Sequence, residues 1–166
     1  MGIYSDNAVL TITGLSIKKP TYYGLVIGER ATVQVYGSSF EATFFAILMI
    51  DRGNFLKMRG SVLQSEDYSI AVTSDFLGVD LGISNADPGR NTIVRGLIGL
   101  SVITKYLSAA RTVYAVGNQW KPKVQGADAS GLYSGLLPPR CFASKEFGGN
   151  FRVSLKPGDP QLCLAL

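Results

Sequence analysis

The sequence predicts an all-β fold, an antiparallel β-sandwich or jelly roll with an extended C-terminal loop or arm, and three observations predict it. Short runs alternate apolar and polar residues with a period of two. In Ala31–Tyr36, Val33 and Val35 fall on one side and Thr32, Gln34 and Tyr36 on the other. Glycine is abundant, 19 in 166 residues, so turns recur and the runs stay short. Finally, 46% of residues are hydrophobic and only 17% charged, enough apolar material for the core of one domain of this length.

In chain order, Val9–Ile17 reads as a first, edge-like strand ending at Lys18-Lys19-Pro20, where proline removes a ladder donor. Tyr22–Ile27 is a second short run, closed by Gly28, and Ala31–Tyr36 a third, closed by Gly37-Ser38-Ser39. Thr43–Ile50 is continuously apolar after its first residue, and its length and flanks favour a central strand over a buried helix. Asp51-Arg52-Gly53-Asn54 reads as a hairpin-type turn, with Phe55–Leu63 as the return strand. Tyr68–Thr73 alternates again, so residues 31–73 are expected to form an antiparallel meander.

Residues 78–89 read as a surface loop, because Asn85-Ala86-Asp87-Pro88-Gly89 concentrates turn formers. A subdomain boundary near 84–92 is the alternative to one sandwich, 1–166, crossed by a long loop. Leu100, Ile103, Tyr106, Leu107 and Ala110 recur at helical spacing, whereas Val102, Ile103, Thr104, Thr112 and Val113 favour strand, so 100–111 is left between the two. Residues 121–150, carrying Pro122, Pro138-Pro139 and Gly148-Gly149, read as an extended loop or arm, followed by strands at Phe151–Leu155 and Gln161–Leu166. No internal repeat of 20–50 residues stands out.

Composition excludes several functions. The chain has no histidine, which removes the Ser-His-Asp and Cys-His catalytic sets. With only Cys141 and Cys163, neither a four-cysteine nor a Cys₂His₂ zinc site can be assembled. There is no phosphate-cradling loop, and Gly131-Leu132-Tyr133-Ser134-Gly135 misplaces the serine of a nucleophile elbow. The carboxylate pairs Glu66 with Asp67 and Asp75 with Asp80 are the candidates for acid–base work on a glycoside, and Asp75, Asp80, Asn85 and Asp87 for calcium. Turn-capping and solvation explain these acids better, so no catalytic residue, cofactor or metal is assigned.

Charge is uneven. Residues 1–83 hold 6 basic and 8 acidic side chains, residues 84–166 hold 10 and 4. A basic half suits a subunit contact or, less favoured, nucleic acid. Trp120, flanked by Lys121 and Lys123, together with Arg140 and the apolar C-terminal Leu164 and Leu166, are the candidate partner-contact residues. No basic segment precedes the first apolar run, as a secretory leader would require, and no run of about 18 apolar residues is present to span a membrane as a helix.

In its rhythm of strand and turn, the span Glu29–Gly82, ERATVQVYGSSFEATFFAILMIDRGNFLKMRGSVLQSEDYSIAVTSDFLGVDLG, resembles the small β-sandwich modules of bacteriophage virions, found in tail-fibre attachment, tail and capsid accessory proteins. The resemblance covers about a third of the chain. It implies a non-enzymatic virion component, made in the host cytoplasm, homo-oligomeric and docked on other structural subunits. A carbohydrate- or receptor-binding module and a nucleic-acid-binding protein are the alternatives.

Overall fold

A computed structural model describes residues 2–18, 22–73, 75–95, 98–102, 111–122, 142–144 and 151–154. Strands fill these segments, and no helix occurs among the described residues. All the sheets are parallel. Sheet A consists, in spatial order, of β1 (Ile3–Ser5), β4 (Tyr23–Ile27), β7 (Phe45–Met49), β10 (Tyr68–Val72), β13 (Ile98–Val102) and β16 (Phe142–Ser144). Sheet B runs from β2 (Val9–Thr13) through β5 (Thr32–Tyr36), β8 (Phe55–Arg59), β11 (Gly78–Asp80) and β14 (Arg111–Tyr114) to β17 (Phe151–Ser154). Sheet C holds β3 (Ser16–Ile17), β6 (Ser39–Ala42), β9 (Val62–Ser65), β12 (Thr92–Arg95) and β15 (Gln119–Pro122). Every third strand is thus a sheet neighbour, and the chain winds as a parallel β-solenoid.

This corrects the expected antiparallel sandwich or jelly roll. The alternation that marks a half-buried strand was read correctly at Ala31–Tyr36, but alternation carries no information about strand direction. Residues 31–73 do not meander. β5 pairs β8 in parallel, as β7 pairs β10, and Asp51-Arg52-Gly53-Asn54 is a corner rather than a hairpin. The two long strands expected at Val9–Ile17 and Phe55–Leu63 are each broken in two, at Gly14 and Gly60. Of the stretch between helix and strand, Leu100–Val102 belongs to β13 and Arg111 opens β14, while 103–110 lie outside the described residues.

A repeat does exist. Val9, Thr32, Phe55 and Gly78 are register partners at a constant step of 23 residues, as are Ser16, Ser39 and Val62. The corner between sheets B and C explains the step. Gly14, Gly37 and Gly60 all have positive φ (63°, 54° and 59°), a turn that glycine makes without steric cost. The residue after each glycine is tied to the next rung. The Leu15 N–H donates to Ser38 Oγ, Ser38 N–H to Ser61 Oγ, Ser61 N–H to Asn91 Oδ1, and Asn91 N–H to Asn118 Oδ1. Polar side chains therefore satisfy the buried corner amides that no strand can reach.

Inward rows fill the interior. Val33, Val35, Leu56, Met58 and Val79 come from sheet B, Leu25, Ile27, Ile47, Met49, Ile70 and Val72 from sheet A, and Phe40, Leu63 and Ile93 from sheet C, all fully buried. Register places apolar residue over apolar residue, so each rung buries its inward row against the rungs beside it as well as across the shared interior. No helix among the described residues is long and apolar enough to cross a membrane.

Candidate interaction surface

The first rung, β1 to β3, is the end of all three sheets. Its pairing shows which backbone groups are left over. The Thr32 N–H donates to the Ala8 carbonyl (2.8 Å) and the Gly14 N–H to the Tyr36 carbonyl (3.0 Å). In a parallel ladder this assigns the amides and carbonyls of Ala8, Leu10, Ile12 and Gly14 to β5 and turns those of Val9, Thr11 and Thr13 away from it. No described strand lies on that side. The apolar interior ends here too. Ile3, Leu10, Leu15 and Ile17, all from this rung, pack on the core yet are only partly buried, while Val9 is 79% exposed and Tyr4 47%. None of β1, β2 and β3 contains a charge or a proline, the two devices that commonly protect an open edge.

Sheet A extends this apolar character along the molecule. No Asp, Glu, Lys or Arg occurs in any of its six strands. At its start, rings stack from rung to rung. The ring centroids of Tyr23 and Phe45 lie 5.7 Å apart and those of Phe45 and Tyr68 5.2 Å, each pair nearly parallel, with Tyr22 on Phe44 (5.2 Å) alongside. These rings spend their faces on one another. A sugar ring stacks on an open aromatic face, so this column is a packing device before it is a glycan platform.

The acids named from the sequence are engaged otherwise. The Arg59 guanidinium binds Asp87 through Nε (2.8 Å) and Nη2 (2.7 Å), Asp80 through Nη2 (2.7 Å to Oδ1), and the carbonyls of Met58 and Asp80 through Nη1. Asp80 Oδ1 also accepts from the Gly82 N–H, and Lys57 Nζ stands 4.0 Å from Oδ2. Hydrogen bonding to Arg59 holds the Asp87 carboxyl below its ordinary range, against the opposing pull of desolvation, and the same bond raises Arg59. The arrangement clamps the 82–90 loop onto β8. A guanidinium among the acids weighed as a calcium set repels a cation, and no group of three metal-ligating side chains occurs among the described residues. An open depression of about 570 Å³ lies at the corner lined by Glu29, Ile50, Asp51, Arg52 and Thr73, where Arg52 stands with the two carboxylates.

Of the candidate partner-contact residues, Trp120 and Lys121 lie on β15, the last strand of sheet C, paired with Ile93 and Val94, and Lys121 is exposed. Lys123, Arg140, Leu164 and Leu166 lie outside the described residues, as do Cys141, Cys163 and most of the 121–150 arm. The open first rung was missed. Its signal was the absence of charge from residues 7–17 combined with glycines at a step of 23. The fold and this surface define a class, a parallel β-solenoid whose first three strands carry no charge. No family model, curated protein or solved structure matches the chain.

Proposed function

We propose that the chain is a non-enzymatic structural subunit of a larger assembly and that it acts through contacts between subunits; the likeness to virion modules was to β-sandwiches and does not carry over to a solenoid. One observation carries the reading. Among the described residues the first rung presents strand edges with no neighbour beside a partly exposed core, and its three strands hold no charge, a combination that soluble proteins cover or block. The clamped state of Asp80 and Asp87 and the lack of histidine support a role without catalysis.

Fractionation of the source lysate by sedimentation tests it. The chain is expected in fast-sedimenting particles in fixed ratio to other structural subunits. Recovery only as free protein of one or two copies, unassociated with any particle, overturns the proposal.

A further inference from the structure

The first rung has a symmetry that selects its occupant, and we infer that it pairs with the first rung of a second copy of this chain about a twofold axis through Thr11. The inference rests on the assembly reading above and adds the partner. The edge-facing residues of β2 are three, Val9, Thr11 and Thr13, with Thr11 at the centre. A twofold there makes β2 antiparallel to its copy, with Thr11 opposite Thr11 and Val9 opposite Thr13. Each of these becomes a hydrogen-bonded pair, so every amide and carbonyl that β5 leaves over finds a partner. Three β-branched residues in antiparallel contact form a favourable strand edge.

The winding of the chain fits the same axis. Within one rung β1 is ahead of β2 and β3 behind it by the same fraction of a rise, the full rise being about the 4.8 Å spacing between strands. The twofold lays β1 of each copy over β3 of the other, so the strand that projects meets the one that is set back, and the gap stays uniform around the rung. Ile3, Leu10, Leu15 and Ile17 of both copies then close one continuous core. The corner carrying Asp6 comes onto the Gly14–Leu15 corner of the other copy, and Lys18 onto the start of its β1, so no like-charged side chains are opposed.

Two variants of the full chain test the geometry. In Thr11→Cys, the twofold sets the new thiols on directly opposed residues about 5.5 Å apart at Cα, within disulfide reach. Mild oxidation is expected to give a dimer of the full chain on a non-reducing gel, beyond any the unsubstituted chain forms. Val9→Cys alone is expected to give none, because its copy lies four residues away along the pair, and Val9→Cys mixed with Thr13→Cys restores the cross-link. Thr11→Pro removes an edge-facing N–H that no described strand uses. It is expected to halve the light-scattering mass from twice 17.8 kDa to that of one chain with an unchanged circular dichroism spectrum.

A monomeric unsubstituted chain at about 100 µM, well above the dissociation constant of an ordinary stable dimer, overturns the pairing. So does open-ended growth, or a Thr11→Cys cross-link no stronger than that of Val9→Cys. If the chain is monomeric and still sediments with particles, the second copy is wrong and the assembly reading stands. If it dimerises as described but never associates with a particle, the reverse holds.

Discussion

Sheets A and B are built by the same winding, yet their outer faces differ completely. Successive rungs of sheet A place Tyr4, Val26, Leu48 and Ala71 in one register row, alternate to the core residues. The matching row of sheet B is Thr11, Gln34, Lys57, Asp80 and Tyr114. The inward rows of both sheets are apolar because the interior demands it, whereas the outward rows are unconstrained by the fold. Sheet B has used that freedom for solvation and an ion-pair clamp. Sheet A carries no charge, and Val26 and Ala71 on its outer row are buried. The solenoid therefore has a wet side and a dry side, and the first rung, whose three strands hold no charge, continues the dry one.

The strongest way to break this contrast is to put the same charge on both sides. Ala71→Glu buries a carboxylate with no cation anywhere in its sheet and is expected to cost several kcal/mol, enough to abolish cooperative thermal unfolding. Gln34→Glu adds the same carboxylate beside Lys57 and is expected to change stability by no more than about 0.5 kcal/mol. Equal losses in the two variants, measured by urea unfolding, would mean that the faces do not differ in environment.

Next in size is the clamp. Arg59 is 13% exposed and Asp80 7%, so Arg59→Ala strands a buried carboxylate with only the more distant Lys57. A loss of about 3 kcal/mol is expected. Asp87 is 46% exposed, and Asp87→Asn should cost distinctly less. Proteolytic nicking within residues 83–88 should rise in both variants, since Arg59 is what ties that loop to β8.

A smaller effect should follow acidity. The folded-state pKa of Asp87 lies below its unfolded value because Arg59 binds the charged form. The stability it contributes is present above the ordinary carboxylate range and is lost as pH falls through the depressed value. Unfolding midpoints between pH 5 and pH 2 should therefore drop less steeply for Asp87→Asn than for the unsubstituted chain. Identical slopes would remove Arg59–Asp87 as a source of acid sensitivity.

Much of the local structure was legible in the sequence and the winding was not, for a definable reason. Alternation at Ala31–Tyr36 and the apolar run at Phe45–Met49 are properties of single strands, and both are strands. Direction and sheet order depend on which rung lies above, and that is encoded only in the spacing of Gly14, Gly37 and Gly60 and in the serines that follow the last two. After β11 the step lengthens, from 23 residues to 30 between Tyr68 and Ile98 and to 34 between Val79 and Val113, which hides the period from a scan for one constant repeat. The clamp was half visible. Asp80 and Asp87 were singled out as acids near one another, but Arg59 approaches from the neighbouring rung, and only the solenoid brings it there.

The smallest expected effect concerns the aromatic column at the start of sheet A, where the dry side stacks ring on ring. Phe45 touches Tyr23 at 5.7 Å and Tyr68 at 5.2 Å, so Phe45→Leu removes two ring contacts while keeping most of the apolar volume. Tyr68→Leu removes one of them. At about 0.5–1.5 kcal/mol per aromatic pair, Phe45→Leu should cost about twice as much as Tyr68→Leu, and the double variant no more than Phe45→Leu plus the side-chain loss at Tyr68. That shortfall from additivity measures the stacking itself. A fully additive pair would mean that the rings contribute only their buried area, and sheet A would then owe its dryness to hydrophobic burial alone.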